Sequence, residues 1–530
     1  MSTFDLPSIR PDAAPEFTNA SGCAKWLQSV PLINVGPAHE RLLRQLEELN
    51  AYKISPSERL KILELLREAV GFVQKEHSKK FASRPAPLAP PERETLKNAH
   101  ALWDAFSTGY QHCLQAVADG AGGLGAALIG QRVQWCTGQR MIASYQAYQD
   151  VGEREWKLLH RVFALVEERG KTRDEIPHPE HKGKETTCTE GYAQVLLLDL
   201  ANPGKLTPRQ IELVSMWLER WTRKITIGRT SADAGEGVPP LVVDLSGSGG
   251  ASHRPAQGDA SRLLDIQDLR GDLRKRIALL RKGDTPAELG LGEDVTPALA
   301  ESMLVMLYRR WCEDKQARAH PRHGASGTAQ TCMGMPAIHY YVTGRSFAAR
   351  GSARTISQKE HEELATFGRL ATRHEDEPRT APNFPLESWQ IKDESASGLR
   401  LERVDPAASS RLLLGQLMGI RLADAKVFLL CTIKWMLVSA DFGLRIGVQI
   451  LPGVPQGIGI KAAGVNTEPH TQGFLLPAFA PLQAPETLVT PAAWFKPKRE
   501  IEVADRPGRV RLLALIDRGP DYERVSFEAG

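Results

Sequence analysis

The spacing of apolar residues changes once along this 530-residue chain, and that change limits the folds open to it. Up to about residue 225 they recur at intervals of three and four, the period of a helix with one buried face. From about residue 311 onward they fall into short apolar runs and alternations, the pattern of strands. The two textures follow one another rather than alternating, so the chain reads as an α+β multidomain protein, with an α-helical amino-terminal half followed by a mostly β region and a small β-rich carboxy-terminal tail.

Start and stop signals divide the helical half. Ser55-Pro56-Ser57-Glu58 reads as a capping box, with the Ser55 hydroxyl capping, Pro56 at the first helical position and Glu58 reaching back. The stretch Ser83 to Pro91 cannot continue a helix, and Asp119 to Gly123 breaks the next one. Thr207-Pro208-Arg209-Gln210 starts another, with Ile211, Val214, Leu218 and Trp221 on one face. No fixed repeat period is found, which leaves a helical scaffold or partner-docking region over residues 1–225.

Gly, Ser and Pro rise between Lys224 and Gln257, and residues 226–300 read as a linker with one short strand, Pro240 to Leu245, and helices. Helices are expected over Leu269 to Lys282 and from a cap at Thr296-Pro297 to about Trp311. From about Trp311 onward the chain is expected to be mostly β, with one helical insertion near Ser357 to Ala371. Its strands are placed at Gln330 to Thr343, Trp389 to Leu401, Lys426 to Leu437 and Gly443 to Leu451. Residues 456–530 form the β-rich extension, with short strands at Ile501 to Val503, Val510 to Ile516 and Arg524 to Phe527.

The 67 basic and 63 acidic residues nearly cancel, giving a net charge of +4. A general DNA or RNA binder carries a wide basic face, so an anionic ligand here must be gripped by a local cluster. The longest apolar stretch, Val427 to Val438, contains Lys434 and falls well short of the ~20 residues a bilayer-spanning helix needs. Met1 to Ala20 lacks a basic start and an apolar core, so a cytoplasmic location is expected. Seven scattered cysteines form neither a disulfide framework nor a zinc knuckle.

The most specific motif is Asp393-Glu394-Ser395-Ala396-Ser397-Gly398, a polar turn between the extended arms Trp389 to Lys392 and Leu399 to Leu401. An Asp carboxylate there can accept hydrogen bonds from purine N–H groups. A Ser hydroxyl can bond a phosphate or the neighbouring backbone, and Gly avoids a clash. With the later runs Val427 to Trp435 and Gly443 to Gln449, these residues resemble the PilZ family of bacterial cyclic di-GMP receptors. That family's signature is D/N-x-S-x-x-G preceded by R-x-x-x-R.

The resemblance spans roughly Arg309 to Leu451 and implies a PilZ-like antiparallel β-barrel over 301–455 with an insertion at about 345–385, and a cyclic di-GMP site made by Arg318, Arg322, Asp393, Ser395 and Gly398, with no other cofactor and no metal. Arginine is required because its planar fork grips phosphates and a guanine edge in a way that lysine does not. A second pair, Arg369 and Arg373, is the alternative. Arg318 and Arg322 are preferred because they directly precede an expected strand. The separation from Arg322 to Asp393 exceeds the family's usual spacing, and the inserted segment Arg345 to Pro385 would absorb it.

The resemblance also implies a non-enzymatic effector in motility, biofilm formation, adhesion or virulence, with an unknown protein partner docking on the helical half. A degenerate, non-binding barrel acting as a structural or interaction component is the second reading. Other features are weaker. His178-Pro179-Glu180-His181 offers two imidazoles three residues apart, but no third metal ligand is evident and the proline points to a loop. The glycine runs at 120–125 and 247–250 lack a P-loop's strand–loop–helix setting. Arg270 to Lys282 reads as the wet face of an amphipathic helix, and Cys332 with His339 lacks an orienting acid.

Overall fold

The computed structural model describes residues 3–229, 240–253, 258–313, 323–347, 383–395, 397–405, 410–439, 441, 443–464, 469–504 and 508–529. The chain divides into two compact units, Met1–Arg318 and Ala319–Gly530.

The first unit contains α1 (Ala20–Leu27), α2 (Val35–Asn50), α3 (Pro56–Ser78), α4 (Pro90–Ala118), α5 (Ala126–Gln146) and α6 (Glu153–Glu168). A two-stranded hairpin, β1 (Ile176–Pro177) and β2 (Glu185–Thr186), precedes α7 (Cys188–Leu200) and α8 (Pro208–Trp221). Next come β3 (Thr226–Gly228), β4 (Leu241–Asp244), β5 (Ser252–His253) and β6 (Ser261–Asp265), which form one antiparallel sheet, then α9 (Gln267–Lys282) and α10 (Pro297–Cys312).

The sequence signals mark these helices well. Thr207 and Gln210 form a full capping box on α8, and Ile211, Val214, Leu218 and Trp221 are all buried. At α3 the Ser55 hydroxyl accepts from the Glu58 N–H at 3.3 Å, but Glu58 does not close the box. Its carboxylate accepts from the Ala20 N–H at 2.7 Å instead and ties α3 to the start of α1.

Helix α5 is buried around most of its circumference and forms the axis of the unit. It carries the fully buried Arg132, whose guanidinium meets both carboxylate oxygens of Glu64 at 2.9 and 3.2 Å while the Tyr110 hydroxyl donates to the same carboxylate at 2.8 Å. Burial pushes the Glu64 carboxyl up, yet Arg132 and its neighbours override this and hold it below the usual carboxylate range.

The stretch 226–300, read from sequence as a linker, contributes its described strands and helices to the core of this unit. Ile227, Leu241, Val243, Leu264, Leu269 and Leu273 join one cluster with α7, α8 and α10. Two buried indoles fasten the layers: Trp217 donates to the Leu291 carbonyl at 2.9 Å and Trp311 to the Leu197 carbonyl at 3.0 Å. Among the described residues no helix is long and apolar enough to cross a membrane.

The second unit consists of two closed six-stranded antiparallel barrels. The first is made by β7 (His323–Met333), β8 (Glu387–Ser395), β9 (Gly398–Arg403), β10 (Leu417–Leu422), β11 (Leu429–Val438) and β12 (Leu444–Ile450) in the order β10-β11-β12-β9-β8-β7. Helix α11 (Met335–Thr343) follows β7.

The strand expected over Gln330 to Thr343 is therefore corrected: it ends at Met333 and the chain turns into α11. Gly334 takes a positive φ of 83°, and Pro336 occupies the first turn, where its missing N–H costs nothing. The run Ile338 to Val342 looked strand-like because β-branched and aromatic residues are common to buried helices and strands. The helix expected near Ser357 to Ala371 lies outside the described residues.

The tail is more regular than its sequence suggested. β13 (Gln456–Ala462), β14 (Thr471–Leu476), β15 (Thr487–Pro491), β16 (Glu500–Val503), β17 (Arg509–Arg518) and β18 (Tyr522–Ala529) close a complete second barrel. Ala337 and Ile338 of α11 share a core with Leu417 and Leu430 of the first barrel and Phe474, Leu476 and Val489 of the second. The β17–β18 hairpin also grips the first barrel. Asp521 accepts from the Leu417 N–H at 3.0 Å, and Asp517 meets Lys434 at 3.2 Å while accepting from the Tyr522 hydroxyl at 2.8 Å.

Several histidines of the first unit lie wholly or partly inside it. Burial lowers His77 and His112 to about 4 and His100 to about 3. The folded state thus favours neutral imidazole, whereas the unfolded chain takes up protons near the ordinary value of 6.5. Stability of this unit is full above about pH 6.5 and declines as pH falls from there towards 4. Calorimetric scans between pH 7.5 and 4.5 should show its melting midpoint falling steadily below pH 6.5, and a flat midpoint over that range would contradict neutral burial.

Candidate ligand-binding site on the first barrel

The polar motif at 393–398 forms the tip of the β8–β9 hairpin. Ser395 pairs with Gly398, Glu394 with Leu399 and Asp393 with Arg400. The Ser395 hydroxyl donates to the Gly398 carbonyl at 3.2 Å and so closes the tip on itself. Asp393 is mostly buried and lies 3.5 Å from the Arg400 guanidinium, which points its carboxylate along the outer face of the hairpin.

The glycine at 398 is required by a neighbouring strand. A Cβ at that position would lie 2.6 Å from the carbonyl oxygen of Val448 on β12, so any side chain would force β9 and β12 apart. A second glycine, Gly447, has a similar role: the Trp435 indole of β11 lies directly against its backbone, and the two residues are cross-strand partners. Trp and Gly thus fit together on the outer face, with Arg400 beside Gly447 in the next strand.

The base of the hairpin is fixed by a buried cation. The Arg403 guanidinium sits 5.1 Å from the Trp389 ring and donates to Glu387 at 3.4 Å and to the Ser410 carbonyl at 2.8 Å. These contacts hold one end of β8 and β9 rigid while the other end presents Asp393 and Ser395.

The sequence-predicted residues divide into two groups. Asp393, Ser395 and Gly398 are brought together at one hairpin tip. Arg318 and Arg322, and the alternatives Arg369 and Arg373, lie outside the described residues. What the structure supplies for them is strand register. β7 pairs antiparallel with β8 so that His323 lies opposite Glu394 and Gly324 opposite Asp393, while Thr331 lies opposite Glu387 at the far end. Residue 322 therefore directly precedes a position paired with the motif. Residues 369 and 373 precede the opposite end of β8.

Cysteine chemistry plays no part. All seven cysteines are buried, and burial pushes the Cys332 thiol up to about 12, so it stays protonated and unreactive. His339 is on α11 rather than on a strand with Cys332.

The chain thus joins a helical domain to two β-barrels, the first with a polar hairpin tip formed from a carboxylate, a hydroxyl and a close-packed glycine. Residues 21–232 match the family model described as "Cyclic-di-GMP receptor FimW, N-terminal domain", and residues 458–529 match "FimW C-terminal beta-barrel domain". The chain is also similar to the cyclic-di-GMP receptor FimW of Pseudomonas aeruginosa, with 22% identity over 90% of this chain and 85% of the relative. It is thus FimW-like in its helical domain and in its second barrel, and the first barrel lies between the two matches.

The packing at Gly398 predicts that Gly398→Ala lowers the stability of the barrel unit by about 1–3 kcal/mol, the usual range for overpacking. Ser395→Ala, which removes one hydroxyl-to-carbonyl bond, should cost about 1 kcal/mol. Thermal melts of the two variants would measure both, and an unchanged midpoint for Gly398→Ala would contradict the close approach of β9 to β12.

Proposed function

We propose that this chain is a receptor for cyclic di-GMP, held on the first barrel by Arg318 and Arg322 together with Asp393, Ser395 and Gly398, in the manner of the PilZ family. The observation that carries this reading is the β7–β8 register, which sets residues 323 and 324 against 394 and 393. In sequence, Arg322 directly precedes the residue that pairs with Glu394, which supports assigning the two arginines to the same end of the barrel as Asp393. The similarity of the chain to a protein named as a cyclic-di-GMP receptor supports the same ligand.

The chemistry matches a small dianion. Two guanidinium forks supply bidentate bonds to phosphate and to the O6/N7 edge of guanine, and Asp393 accepts from guanine N–H groups. Arg400 keeps that carboxylate oriented before the ligand arrives. The hairpin tip contributes a fixed surface because Ser395 and Gly398 already satisfy each other.

Binding has a direct route to an output. Residues 313–322 are the covalent connection between α10 and β7. Neighbouring guanidinium groups repel one another until phosphates neutralise them, so the ligand draws this connection onto the barrel. Events at the site then act on the segment that leads to the helical domain, which we propose docks a protein partner.

Calorimetric titration with cyclic di-GMP tests the assignment. The wild-type chain should bind saturably at micromolar concentration. The double variant Arg318→Ala/Arg322→Ala should weaken binding at least 100-fold, and Asp393→Ala about 10- to 100-fold, as expected for charge-assisted hydrogen bonds. Arg369→Ala/Arg373→Ala should bind as the wild type does. Undiminished binding by the first double variant would remove those arginines from the site.

A further inference from the structure

We propose that His178, His181 and Glu219 of the helical domain form a binding site for a single zinc ion. One potential ligand atom from each of the three side chains lies within 4.8 Å of the others, and among the described residues this is the one such group of three. Two imidazoles and one carboxylate are the donor set that zinc takes when three protein ligands leave a fourth position open.

The site is built from separate parts of the domain. His178 and His181 lie on the loop joining β1 to β2. That loop is closed by backbone hydrogen bonds from the His178 N–H to the Lys184 carbonyl at 2.9 Å and from the Lys184 N–H to the His181 carbonyl at 3.2 Å. The two rings stack with centroids 4.7 Å apart. Glu219 comes from α8, and its Oε2 lies 3.0 Å from Nε2 of His181. An ion held here would join the loop to α8. All three residues are partly buried, so the ligands are neither freely solvated nor sealed from entry.

A second observation points into the same place. His178 and Glu219 line a cleft of about 60 Å³ that is also lined by Gln131, Gln134 and Gln194. Gln134 is fully buried, and neither its carbonyl oxygen nor its amide nitrogen has a hydrogen-bond partner. A buried amide of this kind ordinarily finds a partner, and a water or small anion in the open coordination position would supply one.

The existing contacts set the strength. Nδ1 of His178 accepts the N–H groups of Glu180 and His181 at 3.1 Å each, and His181 is already bonded to Glu219. Zinc competes with these hydrogen bonds for the same lone pairs. The proton between His181 and Glu219 moves to the other ring nitrogen or to solvent as the ion enters. A site that must exchange such bonds binds in the micromolar range, well below a pre-formed four-ligand centre.

The full-length protein, stripped with a chelator, should take up one equivalent of zinc in a calorimetric titration. His181→Ala and Glu219→Gln should each lose at least 30-fold in affinity while their metal-free melting midpoints stay near that of the wild type. Cobalt(II) added to the wild-type chain should give the intense visible bands of four-coordinate geometry, a readout that needs no variant to fold. Absence of zinc uptake, wild-type affinity retained in both variants, or cobalt without those bands would each overturn the assignment.

Discussion

Closure of the first barrel is the constraint from which the proposed site follows. β7 supplies hydrogen bonds on both edges, to β8 on one side and β10 on the other, and without it both of those strands would be left with open edges. Because β7 runs antiparallel to β8, its first residues must lie beside the last residues of β8. The chain that enters β7 is therefore tied to the hairpin tip. The length of the segment between β7 and β8 does not enter this argument, because that segment joins the opposite ends of the two strands, where Thr331 faces Glu387. An unusually long separation between Arg322 and Asp393 in sequence is compatible with a short one in space.

The same unit shows how two small barrels can stabilise one another. A closed barrel of short strands encloses little apolar volume, and here α11 adds a shared layer that both barrels cover. Asp517 and Asp521, near the β17–β18 turn, then satisfy Lys434 and the Leu417 N–H of the first barrel, while Tyr522 of the same hairpin donates to Asp517 and orients it. Hydrogen bonds to charged groups are worth more than neutral ones, so this seam fixes the second barrel against the first with few contacts. In the helical domain the corresponding fixed point is Arg132 with Glu64 and Tyr110, where a fully buried cation is tolerable only because its partners are already in place.

Much of this was legible along the chain, and the misses share a cause. Helix starts at Thr207 and Thr296 were marked by capping residues whose partners are three positions away, so the local sequence carried the signal. The β8–β9 hairpin was visible for the same reason: its turn and both arms are adjacent. Glu58 capped a different helix from the one its position suggested, because the competing N–H of Ala20 comes from a distant segment. The strands β13 and β14 are hidden in the sequence because their glycines look like turn residues, whereas Gly473 and Gly457 accommodate neighbouring backbone and side chains packed close against them. The helical character of α11 was masked by residues that serve either state once buried.

By itself the sequence determined the division into a helical half and a β-rich half, the helix starts capped at Ser55, Thr207 and Thr296, and the polar hairpin whose carboxylate, hydroxyl and glycine sit within six residues. These depend on contacts between near neighbours, which spacing reveals. Only the tertiary structure decided that the tail closes into a second barrel, that the described strands and helices within 226–300 join the helical domain's core, and that Glu219 faces His178 and His181 from α8. It likewise decided which end of β8 lies beside the start of β7. Each of these is a long-range pairing fixed by sheet closure or core packing, and no local period in a sequence encodes which distant partner will satisfy it.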